Sequence, residues 1–243
     1  FLNASKAMAA MPSEVSDFEA LQDTTGFMQN RIFDASSGNM DSTAISDWRN
    51  EKPIYLIDLG FSFTGTHLGY RKMQVLEVTS TNYQVRFAKL DNTEDMTVSI
   101  PKDDNYNATF WSFETNETVM IEPPKTEWDL AFTKYVHIFY EPQKMPYLVT
   151  GTLLNRYQTV GILEKTIPFE AIDLQLAMQY ELKANIDLIG YNWKTFVDGT
   201  YEIEYENTYI LQDQQGFYYK LRFIDFFSQN GERGAPKWEV QRF

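Results

Sequence analysis

The sequence predicts an all-β protein with a minor α component, namely an antiparallel β-sandwich or meander with one or two short helices. The chain of 243 residues holds 18 Phe, 15 Tyr and 5 Trp, and aromatic side chains favour strands. Its apolar runs break roughly every 8–12 residues, a spacing typical of sandwiches and barrels. No run approaches the ~18 apolar residues that a membrane-spanning helix needs.

The C-terminal region carries the clearest strand pattern. Apolar and acidic residues alternate from Tyr201 to Glu206, which predicts a strand that buries Tyr201, Ile203 and Tyr205. After a polar break ending at Gly216, a second strand follows from Phe217 to Phe227. Its apolar positions change parity near Ile224, which predicts a one-residue bulge there. A last short strand is predicted over 237–241.

The middle of the chain supplies the other predicted strands. They are separated by polar or Pro-containing breaks, and the second and third form a hairpin. The predicted strands cover residues 54–59, 73–79, 83–90, 97–100, 109–113, 118–122, 128–140, 147–155 and 160–165.

Two short helices and one boundary complete the organisation. Ser16 and Glu19 have capping-box spacing and predict a helix from Asp17 to about Gln22. Apolar residues recur with helical spacing from Phe169 to Tyr180, directly after a proline. Residues 1–50 otherwise read as a tether and leading segment, and residues 51–243 as one β domain.

Composition and motifs exclude several functions. The net charge is −13, so a polyanionic nucleic acid would be repelled. With no cysteine, the chain has no disulfide, thiolate metal site or thiol nucleophile. The sequence lacks a nucleophile elbow, a P-loop, a dinucleotide-binding glycine motif and a zinc-ligand spacing. A pair of catalytic carboxylates of the glycosidase type stays open, since Asp and Glu are plentiful.

His137 is the most informative single residue of the predicted strand 128–140. The even positions of this strand are mostly apolar and predict its core face. His137 lies at an odd position between Tyr135 and Phe139, so the three side chains are predicted on the solvent-side face. An imidazole between two aromatic rings can hold a flat apolar ligand or bind iron. The alternative is a partly exposed histidine that covers a neighbouring strand.

Three stretches together resemble the HmuY-type haem-binding lipoproteins of Bacteroidota. The most specific is YEIEYENTYILQDQQGFYYKLRFIDFFSQNGERGAPKWEVQ near the C-terminus. The others are EWDLAFTKYVHIFYEPQKMPYLVTGTLLNR and GYRKMQVLEVTSTNYQVRFAKLD. They cover roughly residues 60 to 242 in the family's order of motifs, which implies an HmuY-type β fold.

The resemblance also implies a ligand and a location. The family binds haem through His or Met pairs, which makes His137, Met145 and Met178 the candidate iron ligands. Tyr135 and Phe139 would cover the porphyrin. Met145 is predicted in the loop 141–146, and Met178 off the apolar stripe of the helix 169–180. A lipid anchor upstream of Phe1 would hold the protein at the outer-membrane surface, where it would pass haem to a TonB-dependent transporter.

An alternative keeps the fold and loses the haem site. The chain would then be an accessory subunit of an outer-membrane barrel complex, and its two histidines and lack of an evident ligand pair favour this. Ser42 and Thr24 also lie in tripeptides that resemble sites glycosylated on exported proteins of Bacteroidota.

Overall fold

The computed structural model describes residues 1–243 and has 41% strand and 6% helix. The prediction of an all-β protein with antiparallel sheets and short helices is confirmed. The chain forms two compact units, described separately below. Unit 1 contains Phe1–Lys125 and Lys134–Val149, and unit 2 contains Thr126–Thr133 and Thr150–Phe243. The predicted boundary near residue 50 stays a prediction.

Unit 1 is built on a five-stranded antiparallel sheet whose strands lie side by side in chain order. The sheet strands are β1 (Ala9–Pro12), β2 (Ile54–Asp58), β3 (Tyr70–Val78), β4 (Asn82–Ala88) and β5 (Met96–Pro101). A separate hairpin pairs β6 (Phe110–Ser112) with β7 (Glu117–Val119). The predicted hairpin around residues 80–82 is confirmed.

The core of unit 1 lies on both faces of β2. All five residues of this strand are buried. Ile54 and Leu56 pack on one face with Phe18 and Phe27, while Tyr55 and Ile57 belong to a cluster on the other face. Because both faces are covered, β2 is a continuous apolar run rather than an alternating one.

A long hairpin has residues in both units. Its strands are β8 (Leu130–Phe139) and β9 (Met145–Leu154), which pair as a two-stranded sheet. Aromatic and β-branched residues dominate both strands, as expected for strands of this length. The segment Lys134–Val149, which includes the connecting turn, belongs to unit 1.

Unit 2 is built on a four-stranded antiparallel sheet in the order β10, β13, β14, β15. Its strands are β10 (Val160–Glu164), β13 (Thr208–Gln212), β14 (Tyr218–Phe227) and β15 (Arg233–Arg242), and a second hairpin pairs β11 (Lys194–Val197) with β12 (Thr200–Ile203). The register shifts between Phe223 and Asp225, which confirms the predicted bulge. Gly216 has a φ of 86° in the tight turn between β13 and β14.

An aromatic cluster forms the main core of unit 2. The indole of Trp193 stacks on Phe223, with ring centroids 4.0 Å apart and an interplanar angle of 15°. Tyr209 and Phe226 pack around this pair. The predicted burial of Tyr205 is wrong, because β12 ends at Ile203 and Tyr205 is 66% exposed in the following turn.

Both helix predictions need correction. Residues 17–22 form turns, in which the Asp17 carboxylate accepts from the Glu19 amide, and the short helix α1 lies later, at Phe27–Asn30. The helix predicted over 169–180 is a 3-10 turn at Phe169–Ala171 followed by α2 (Leu174–Ala177). The Asp173 side chain caps α2 by accepting from the Leu176 amide, which separates the two pieces. None of the helices is long or apolar enough to cross a bilayer.

Candidate functional site

Four of the five predicted site residues lie on the hairpin of β8 and β9. Tyr135, His137 and Phe139 belong to β8, and Met145 is the first residue of β9. The prediction that Met145 lies in a loop is therefore wrong, because β9 begins at Met145, two residues before the predicted start at 147. All four residues are in the Lys134–Val149 segment of unit 1.

The two faces of β8 differ from the sequence prediction. Tyr135 is only 2% exposed, although it was predicted on the solvent side. Val136 is also buried, while Phe132, predicted in the core, is 44% exposed. Both faces of β8 are thus covered at its middle, and alternation alone could not reveal this. Tyr135 is packed into the protein and does not offer its ring to a ligand from solvent.

His137 and Phe139 form an aromatic pair at the half-buried end of β8. Their ring centroids are 4.9 Å apart with an interplanar angle of 73°, an edge-to-face arrangement. The Phe139 ring also meets the Tyr147 ring edge-to-face, at 6.3 Å. The Nδ1 atom of His137 is buried.

The two candidate thioethers are exposed. Met145 is 44% exposed at the start of β9 in unit 1. Met178 is 63% exposed and follows the last residue of α2 in unit 2. The prediction that Met178 lies off the apolar stripe of the helix agrees with this exposure. Neither methionine side chain is buried in a hydrophobic core.

The segment around Met178 is fixed by a buried carboxylate. Glu164 Oε1 accepts from the Thr166 amide at 2.5 Å and from the Ile167 amide at 3.1 Å. Its other oxygen accepts from the Tyr180 hydroxyl at 2.5 Å. Hydrogen bonds from Thr166 and then Tyr180 lower the pKa of Glu164 to about 2. Burial, followed by the Glu164 bond, raises the pKa of Tyr180 to about 12.

Two surface concavities lie away from the predicted residues. One, of about 490 Å³ in unit 2, is lined by Phe169, Lys220 and Phe243 among others. The other, of about 400 Å³ in unit 1, is lined by Leu59, Arg71 and Lys89 among others. Neither contains His137, Met145 or Met178. Sequence reasoning missed Arg71 and Lys220 because a charged residue at a strand position is normally solvent-exposed.

The donor chemistry of the hairpin fits haem. Imidazole nitrogen and thioether sulfur are both axial ligands of haem iron in proteins. The rings of Phe139 and Tyr147 beside His137 offer an apolar contact for a flat macrocycle. Of the three donors, His137 and Met145 belong to the same unit.

These features describe an all-β protein with a histidine and a methionine near one hairpin turn. The HmuY protein family model matches residues 147–240, so the resemblance to HmuY-type proteins is confirmed over that segment. The HmuY family is a haem-binding, non-enzymatic family of extracytoplasmic surface proteins. No curated protein and no solved structure matches the chain significantly.

Proposed function

We propose that this protein is a non-enzymatic lipoprotein of the outer-membrane surface that binds haem and delivers it to a TonB-dependent transporter. The match of residues 147–240 to the HmuY family carries the proposal. The negative net charge suits a protein that meets no nucleic acid.

His137 and Met145 are the proposed iron ligands, with Met178 as the alternative sulfur donor. The half-buried imidazole next to Phe139 is held in place by its ring contact, so little side-chain entropy is lost when it binds. Met145 and Met178 are exposed, and either can move toward a ligand without leaving a core. Phe139 is the proposed porphyrin contact, whereas Tyr135 supports the strand from inside.

A haemin titration of the purified protein tests the proposal. We expect a Soret shift that saturates at one haem per chain. His137→Ala should weaken binding by at least about 10- to 100-fold, since that is already the loss typical when a residue that only supports a metal ligand is removed. Met145→Ala and Met178→Ala should separate the two sulfur donors, since only the true ligand changes the spectrum of the complex.

Matched controls use residues of the same type at other places. Met120→Ala removes a methionine that is 74% exposed, and His67→Ala removes the other histidine of the chain. Both should leave the Soret band unchanged. If haemin causes no Soret shift in either redox state, or if His137→Ala binds like the parent, haem capture through this hairpin is wrong.

A second function is favoured by one observation. None of the three donor side chains lines either of the two concavities, while Tyr140 and Tyr147 are 70% and 58% exposed. Exposed tyrosines are enriched at protein interfaces. The chain would then be an accessory subunit of an outer-membrane barrel complex without a haem site. Native purification with mass spectrometry and an absorption spectrum separates the two, because a barrel partner without pigment supports only this second function.

A further inference from the structure

The concavity of unit 1 contains a buried cation whose hydrogen bonding is incomplete. Its volume of about 400 Å³ lies within the range of small-molecule sites. It is formed where β2 leads into a loop, where β3 begins and where β4 ends. The lining residues are Leu59, Leu68, Gly69, Tyr70, Arg71, Lys89, Leu90 and Asp91.

Arg71 is the central polar residue of the wall formed by these lining residues. It is 8% exposed, and its Nη2 donates to Glu94 Oε2 at 2.5 Å. Its Nη1 is buried and has no hydrogen-bond partner in the protein. Buried polar atoms are nearly always paired, so this nitrogen calls for an acceptor from outside the chain, either water or a ligand.

Lys89 adds a second cation to the same wall. Its Nζ pairs with Glu94 Oε1, so a single carboxylate serves both cations. Asp91, at the rim, is already engaged because it accepts from the Thr93 amide at 3.0 Å and from the Thr93 hydroxyl at 2.6 Å. The wall therefore has more donors than its own acceptors satisfy. A guanidinium beside an ammonium matches the two oxygens of a carboxylate.

The remainder of the lining is apolar. Leu59, Leu68, Leu90 and Tyr70 belong to the lining, and all but Leu68 are partly buried and also pack against the core clusters of unit 1. Leu68 is 39% exposed at the mouth, so a ligand that covers it gains hydrophobic stabilisation. Sugars or inorganic anions would leave this surface uncovered.

We propose that this concavity binds a small carboxylate that carries an apolar body, such as a medium-chain fatty acid. The carboxylate accepts from Lys89 and, once the side chains that cover it move aside, from Arg71 Nη1, which is buried in the free protein. The aliphatic chain packs against the leucines of the lining. The lining contains none of the proposed haem ligands His137, Met145 and Met178. Either proposal can therefore fail alone.

Calorimetric titration of the full chain with octanoate tests this site, with 1-octanol as the neutral ligand of equal length. We expect saturable octanoate binding with a Kd at or below about 1 mM. Octanol should bind at least about tenfold more weakly, since one charge-assisted hydrogen bond accounts for that difference. Saturation by octanol with the same Kd would overturn the proposal, and so would the absence of octanoate binding.

Point variants test whether octanoate binds in this concavity. Lys89→Met and Leu68→Ser change exposed side chains and should each weaken octanoate binding about tenfold or more. Lys102→Met is the matched control, because Lys102 is an exposed lysine directly after β5 that donates to the Thr79 carbonyl. Arg71→Met should abolish binding, with circular dichroism to confirm that the variant folds. If Lys89→Met and Leu68→Ser both bind octanoate like the parent, Arg71 Nη1 is satisfied by water alone and the site is wrong.

Discussion

Three lysines of this protein place their ammonium groups inside it rather than in solvent. Lys72, Lys220 and Lys194 are 0%, 3% and 7% exposed. Each donates to a main-chain carbonyl, Lys72 to that of Leu21, Lys220 to that of Phe169 and Lys194 to that of Thr150. A buried ammonium can satisfy a carbonyl that has no partner in a sheet or helix. The positive charge is therefore structural at these positions, and burial lowers the pKa of Lys194 to about 8.

Lys220 allows an estimate of how much a buried ammonium stabilises the folded protein. Its Nζ donates to the carbonyls of Phe169 and Ile172, at 2.7 and 2.9 Å. Lys220→Met keeps the aliphatic stem but removes the donor to both carbonyls, and Phe169 then keeps only a long bond of 3.4 Å from the Ile172 amide. Each buried group that loses its partner costs about 1–3 kcal/mol. We expect the free energy of unfolding to fall by about 2–4 kcal/mol in urea denaturation.

The control for Lys220 is Lys237, whose Nζ pairs with Asp225 at 2.7 Å on the surface. Lys237→Met should cost less than about 1 kcal/mol, as exposed ion pairs usually do. Equal losses in the two variants would show that the buried carbonyl contacts contribute no more than a surface pair.

Glu164 gives a prediction about pH. Its pKa is about 2 in the folded protein against an ordinary value of 4.5, because Thr166 and Tyr180 donate to the carboxylate. Its stabilisation is present above pH 4.5 and is lost as the pH falls through 2. At about 1.4 kcal/mol per pH unit, this difference in pKa is worth at most about 3 kcal/mol.

Glu164→Gln should therefore unfold more easily at pH 7, by about 1–3 kcal/mol, and the gap to the parent should close between pH 4.5 and 2. Chemical denaturation across this pH range measures it. The neighbouring exposed Glu181 supplies the control, since Glu181→Gln should match the parent at every pH. A gap for Glu164→Gln that persists unchanged at pH 2 would rule out an ionised carboxylate as its source.

At the scale of elements, the sequence predicted the strands better than their ends and faces. The strands 54–58 and 160–164, and the bulge after Phe223, follow directly from local apolar patterns. Strand β11 was not predicted from the sequence. It begins at Lys194, a charged residue that the sequence pattern places at the surface although its side chain is buried. The helix over 169–180 failed because Asp173 caps a new helix within it. Both errors come from contacts that are distant in sequence or from side chains that bond to the main chain.

The candidate site was predictable in its residue types and not in its geometry. Alternation placed Tyr135 beside His137 on an outer face, yet Tyr135 is buried because β8 is covered on both sides at its middle. Arg71 and Lys220 give no sequence signal of their role, since burial of a cation depends on acceptors supplied by other segments.

Gly151 illustrates a close approach that only the assembled elements reveal. A Cβ atom at this position of β9 would lie 2.3 Å from the carbonyl oxygen of Gly190. Thr152 and Gly190 exchange two main-chain hydrogen bonds of 2.9 Å at the same place. Gly151→Ala must push these backbones apart, so we expect a loss of about 2–3 kcal/mol in unfolding free energy.

The control is Thr150→Ala, one residue earlier in β9, where the side chain is exposed and the change should stay within about 0.5 kcal/mol. Urea denaturation of both variants measures the two changes in unfolding free energy. If Gly151→Ala is as stable as Thr150→Ala, the two backbones are not held together at Gly190 in solution.

At the scale of the whole molecule, excess negative charge opposes the compact state. The net charge of −13 comes from 34 acidic and 21 basic residues. Most ion pairs are at least partly exposed, such as Arg49 with Asp47, and add little stability. Repulsion among the carboxylates is long-ranged at low ionic strength, where the Debye length is about 30 Å at 0.01 M. Added salt should therefore stabilise the protein.

We expect the melting temperature to rise by about 2–4 °C between 0.01 and 0.15 M NaCl, which corresponds to about 1 kcal/mol for a chain of this size. Glu202 and Glu206 are exposed carboxylates, and neutralising both changes the net charge from −13 to −11. The double variant Glu202→Gln, Glu206→Gln should melt above the parent at low salt and together with it at high salt. A melting temperature that falls with salt would mean that the ion pairs, and not the net charge, dominate the electrostatics of this fold, because screening weakens attraction and repulsion alike.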